Sequence, residues 1–199
     1  MSLLTGTRRN GSPRHWNLMP AGENMMEMKW SCTLEFLASN ALNKTCPNLS
    51  PVAPKDTTGF FDYYDDKSNR RKKGLDLWLS EIETKKMPTE EHWKAPFKYH
   101  GVNRNYCNLV RYDQSLIGCA EKRCGNGSAI FCLMGSPPLE NGAVVYYHGK
   151  VGRIIRVGLS KKLPYTESYL CKAISANRSD GAGLGVDLPE NAVSVEEPP

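Results

Sequence analysis

The sequence predicts an α+β fold in which helices in the first half pack on a small antiparallel three-stranded sheet, giving a loop-rich, disulfide-stabilised sandwich. Three observations carry this. Trp30, Leu34, Leu37, Ala38 and Ala41 recur at i, i+4, i+7, i+8 and i+11, the spacing of one apolar helix face. Leu75, Trp78, Leu79 and Ile82 mark a second such face. Three short apolar segments, 116–123, 128–134 and 143–148, are separated by tight-turn residues, as strands of a meander are. Each helix has one stripe to bury and the sheet needs cover, so a sandwich is the simplest packing.

Taken in order, residues 1–24 are polar and irregular, with room only for a short helix before Asn10. The first long helix is expected from about Met26 to Lys44, ending before Pro47. Residues 46–67 read as a long loop with Pro47, Pro51, Pro54 and Gly59, closing on the aromatic cluster Phe60, Phe61, Tyr63 and Tyr64. The second helix takes Ser68 as a candidate N-cap, carries Lys85 and Lys86 at its C-terminal end and stops at Pro88. Cys124-Gly-Asn-Gly-Ser128 is a hairpin turn, and Gly135–Pro138 with Asn141-Gly142 forms the next connection. The organisation expected is an N-terminal segment (1–24), a core (25–150) and an extension (151–199) that is disordered from about 176.

Composition fits a globular chain. Of 199 residues 40% are hydrophobic and 24% charged. A net charge of +5, spread among acidic and aromatic neighbours, does not mark a nucleic-acid binder, and no stretch has the length of a membrane span. Seven cysteines suit an oxidising compartment, as do five Asn-x-Ser/Thr sequons, at Asn10, Asn43, Asn48, Asn126 and Asn177. The first nine residues hold no apolar core of a signal peptide, so the sequence is expected to begin after a missing leader and the protein to be extracellular.

Motifs for catalysis are missing. No Gly-x-Ser-x-Gly, P-loop or His-Glu-x-x-His is present. Cys107, with His92 or His100, is a nucleophile only on paper; a buried or bonded cysteine is the plainer reading. His15, His92, His100 and His148 have no helical spacing that makes a metal site. Arg70-Arg71-Lys72-Lys73 reads either as a solvated helix turn or as an anion-binding patch. The Phe60–Tyr64 aromatics cover a core edge or line a ligand or partner site.

The stretch from Met25 to Cys46, led by Pro20-Ala21-Gly22-Glu23-Asn24-Met25, resembles a hallmark helix of the CAP superfamily (cysteine-rich secretory, antigen 5 and pathogenesis-related proteins), with the nematode venom-allergen-like group nearest. Asn105-Tyr-Cys-Asn-Leu-Val-Arg111 resembles that family's His-Tyr-Thr-Gln-Val-Val-Trp signature. Leu116–Ala120, Ile130–Met134 and Asn141–Gly149 follow in the family's order.

The resemblance implies the family's α-β-α sandwich. It implies Cys32, Cys46, Cys119, Cys124 and Cys132 as disulfide cysteines, Cys119 and Cys132 being usually linked, while the rest of the pairing stays open. Family members that bind zinc use two histidines and nearby carboxylates in a central cavity. Here the signature histidine is Asn105, and the other aligns near Thr5–Arg9, so no metal or other cofactor is expected. The implied role is binding without catalysis: a host protein or receptor, or else a lipid or sterol, met through Phe60, Phe61, Tyr63, Tyr64, Arg70 and Arg71, with Asn43, Asn48 and Asn126 as glycosylation candidates.

Overall fold

A computed structural model describes residues 6–23, 25–44, 49–65, 67, 72–89 and 96–149. In chain order these form β1 (Arg9–Ser12), β2 (His15–Leu18), β3 (Gly22–Glu23), β4 (Lys29–Trp30), α1 (Cys32–Lys44), β5 (Thr58–Asp65), α2 (Gly74–Leu79), a 3-10 turn (Glu81–Glu83), β6 (Phe97–Lys98), α3 (Arg104–Leu109), β7 (Leu116–Cys124), β8 (Gly127–Met134) and β9 (Val144–His148). The expected tail and extension, with Ser68, Arg70 and Arg71, lie outside the described residues.

The central sheet has the order β4-β7-β8-β5. β7 and β8 form the expected hairpin, closed by Gly125 and Asn126 between the paired Cys124 and Gly127. Alternation along β8 sets the layers. Ala129, Phe131 and Leu133 face α1 and pack on its buried stripe, Leu34, Ala38 and Leu42. Cys132 and Met134 face the other way and pack with Phe60, Ile117, Trp78 and Leu109, the last two being helical anchors from α2 and α3. Helices therefore cover both faces, which is the α-β-α sandwich. Each fully buried large side chain in these layers stabilises the fold by about 1.5–3 kcal/mol. Gly118 lets α1 approach, since a Cβ there would lie 2.2 Å from the Glu35 backbone nitrogen.

Four expectations are corrected. The first helix begins at Cys32, not Met26. Lys29 and Ser31 donate their N–H groups to the Ser115 and Ile117 carbonyls, so the preceding chain becomes a parallel edge strand, and the Ser31 hydroxyl accepts from Leu34 N–H at 3.4 Å to open the helix. The aromatic "loop" is β5, an eight-residue strand paired antiparallel with β8 along its whole length. The second helix is shorter, six residues from Gly74, and Leu75 and Leu79 stay partly exposed while Trp78 and Ile82 are buried. The third meander strand, β9, leaves the central sheet and forms a separate three-stranded sheet with β3 and β6.

The N-terminal region is also more ordered than expected. In place of a truncated helix, β1 and β2 make a hairpin, and Gly11 at φ +110 holds a backbone that a helix cannot accept. Asn10, fully buried, ties this hairpin to Met87: its side chain donates to the Met87 carbonyl (2.9 Å) and accepts from the Met87 N–H (2.7 Å).

Candidate functional site, a cleft beside Asn105

The segment that resembles the family signature forms α3, entered through Asn103 in the left-handed conformation (φ 52). Two backbone N–H groups of its first turn need acceptors. Glu81 supplies them from the 3-10 turn: Oε2 accepts from the N–H of Asn105 (2.9 Å) and of Tyr106 (3.0 Å). Its Oε1 accepts from the Asn105 side-chain amide at 2.7 Å. The Asn105 amide oxygen in turn accepts from Arg104 Nη1 at 3.0 Å, and the same nitrogen donates to the Gly59 carbonyl at 3.3 Å. The result is a chain of contacts from Glu81 through Asn105 to Arg104 and the start of β5.

Asn105 and Arg104 open onto a cleft of about 410 Å³. Its walls are Pro51 and Ala53 from the loop before β5, Phe61 from β5, Phe131 from β8 and Pro138. Ser50, Thr57 and Gly59 complete the lining, so the cleft is about evenly polar and apolar, with a cation at one rim. Arg104 is exposed and takes part in no ion pair among the described residues, and its Nε and Nη2 donate to none of them.

Zinc does not fit this constellation. Asn105 brings a neutral amide whose nitrogen and oxygen are both engaged, and both Glu81 oxygens accept hydrogen bonds. A guanidinium stands 3.0 Å from the Asn105 oxygen, which opposes a second cation. The N-terminal segment brings another guanidinium: Arg8 lies 5.9 Å over the Tyr106 ring and pairs with Glu83 at 3.3 Å. No group of three His, Cys, Asp or Glu suited to a metal occurs among the described residues.

The other singled-out residues scatter. Phe60 is core, 1% exposed and 5.4 Å centroid to centroid from Trp78, so it lines no ligand groove. Phe61 faces the cleft. Tyr63 packs toward α1, and Tyr64 hydrogen-bonds to Glu121 beneath the Lys73 ammonium. His15 and His100 are exposed and His148 lies 6.3 Å from the Tyr146 ring. His92 lies outside the described residues.

Cys107 is a buried free thiol donating to the Met87 sulfur at 3.6 Å. Burial, with the Glu81 charge adding, pushes it up to about 12, so it stays protonated and is no nucleophile at neutral pH. Cys119 and Cys132, directly opposite on β7 and β8, are joined. Cys32 and Cys124 are also disulfide-bonded, while Cys46 lies outside the described residues. Asn126 is exposed at a hairpin tip and Asn43 is exposed on the last turn of α1; buried Asn10 has no room for a glycan, and Asn48 and Asn177 lie outside the described residues.

Glu81 and Arg104 do not stand out in the sequence as site residues. The available signal for Glu81 was a carboxylate set between two apolar-face positions, Trp78 and Ile82, where a solvated face would leave none. Nothing in the sequence marked Arg104.

The fold, the disulfide and the α3 segment converge on one class. The family described as CAP, the cysteine-rich secretory protein family, matches residues 7–135, more than half of the chain. This chain belongs to that family. Solved structures of nematode ASP and venom-allergen-like proteins share the fold. Na-ASP-1 is 17% identical with a TM-score of 0.60, over 75% of this chain and 36% of that one. NaASP2 with Zn2+ is 19% identical (TM-score 0.57, 75% of this chain and 79% of that one), and BmVAL-1 is 22% identical (0.56, 75% and 76%). This chain therefore spans about a third of Na-ASP-1. No curated protein matches the chain in a sequence search.

Proposed function

We propose that this CAP domain is a secreted binding protein and not an enzyme, acting between a parasite and its host through a host protein or receptor. The observation that carries the non-catalytic reading is the Glu81–Asn105–Arg104 chain. Asn105 stands where the resemblance puts a metal histidine, and Glu81 beside it is occupied by the Asn105 side chain and by backbone N–H groups. One structure of the same fold has been solved with Zn2+; the described residues of this chain hold no group of three His, Cys, Asp or Glu for such an ion. The sole free thiol among the described residues is protonated and buried, which removes the remaining nucleophile candidate.

The extracellular setting is supported by the cross-strand disulfide and the bonded Cys32 and Cys124, since such bonds persist in oxidising compartments. Asn43 and Asn126 are the glycan acceptors that the surface favours. The parasite setting rests on the resemblance to nematode venom-allergen-like proteins. Purified, glycosylated full chain is to be titrated onto host leukocyte and platelet surfaces. Saturable binding, competed by unlabelled protein, is expected; its absence on both contradicts the reading.

A further inference from the structure

We infer that the cleft beside Asn105 is a binding site for a small organic carboxylate with an apolar body. This goes beyond the partner-binding role above and stands or falls without it.

Arg104 is the anion-recognising group. Its Nη1 is pinned by the Gly59 carbonyl and the Asn105 amide oxygen, both neutral acceptors. That leaves the Nε and Nη2 edge, the geometry that meets a carboxylate through two parallel hydrogen bonds. Pinning also lowers the rotamer entropy lost on binding. The nearby negative charge does not compete for the same space: Glu81 spends Oε1 on the Asn105 side chain and Oε2 on the N–H groups of Asn105 and Tyr106.

Phe61 and Phe131 give two aromatic walls, and Pro51 and Pro138 give two rigid apolar ones. These side chains make one half of the lining apolar, and an apolar body packs there, while Ser50, Thr57 and Arg104 make the polar half that the acid group meets. A volume of about 410 Å³ lies at the small end of ligand sites, which fits a ring or short chain carrying one acid group.

The test uses the full chain and isothermal titration at low ionic strength with phenylacetate, its neutral amide phenylacetamide, and sulfate. Phenylacetate is expected to bind saturably at one site, with phenylacetamide weaker by roughly tenfold or more, because a charged hydrogen-bonded pair is lost. Sulfate is expected to be weaker than phenylacetate, lacking the apolar half. Arg104→Gln is expected to bring phenylacetate down to the amide's affinity, with its melting temperature checked against the parent. Equal binding of acid and amide, or of phenylacetate and sulfate, overturns the inference on the unmodified chain, whether or not the variant folds. No saturable phenylacetate binding overturns it as well, and so does undiminished binding by folded Arg104→Gln.

Discussion

The two sides of the central sheet are held in different ways. On the α1 side the layer is apolar and repetitive: Leu34, Ala38 and Leu42 lie one above another and meet Ala129, Phe131 and Leu133. On the α3 side, apolar residues are interleaved with buried amides and a carboxylate that bond backbone far along the chain. Asn108, 0% exposed, donates to the Arg104 carbonyl (2.8 Å) and accepts from the Leu139 N–H (2.9 Å). Glu81 does the same for α3 across more than twenty residues of sequence. The first side makes the scaffold and tolerates exchange of one apolar group for another of similar volume. The second fixes atoms in place, as a site requires, and tolerates little.

The comparison is broken most severely on the apolar side. Phe131→Ala removes a ring that is 1% exposed, and a loss of about 3–5 kcal/mol is expected in urea unfolding. Next is Asn108→Ala, which leaves the buried Leu139 N–H without an acceptor; about 1–3 kcal/mol is expected, and Asn108→Asp should restore the acceptor only in part.

The smallest effect is one of pH. Cys107 titrates near 9.0 when unfolded and at about 12 when folded, so its contribution is complete below pH 9 and is lost as pH rises toward 12. Burial raises the phenols of Tyr106 and Tyr146 as well, with the same sign. Moving from pH 8 to about 10.5 should lower stability by about 1–2 kcal/mol through Cys107, and Cys107→Ala should flatten that part of the profile. A profile unchanged by the substitution contradicts the buried protonated thiol.

What the sequence revealed follows the same division. The α1 stripe and the β7–β8 hairpin were legible because each depends on residues a few positions apart: a helical period, and Gly125-Asn126 between paired strands. β5 was not, because its inward positions include Asp62, whose carboxylate is bought into the interior by the Gly74 N–H at 2.9 Å, a contact no local pattern displays. The β1–β2 hairpin was missed for a similar reason: Arg-Asn-Gly-Ser has no apolar alternation, and buried Asn10 is matched by Met87. β9 looked like a third meander strand, since adjacency in sequence says nothing about which sheet edge is free.

For the site, Asn105 stood out as a departure from a signature. Its partners did not, because Glu81 reaches it from 24 residues upstream and Arg104 is tied to Gly59, 45 residues away. The cleft takes Phe61 and Phe131 from the apolar side of the sheet and Arg104 and Asn105 from the polar side, and it is the polar half, written in long-range bonds, that no local pattern displays.

Glu81, Asn105 and Arg104 satisfy one another and leave no place for a zinc ion among them. Isothermal titration of the metal-stripped full chain with Zn2+, in parallel with Asn105→Ala, tests this most directly. No one-to-one zinc uptake at this site is predicted, so the two proteins should give the same titration. Stoichiometric uptake by the parent chain that is lost in Asn105→Ala would contradict the account.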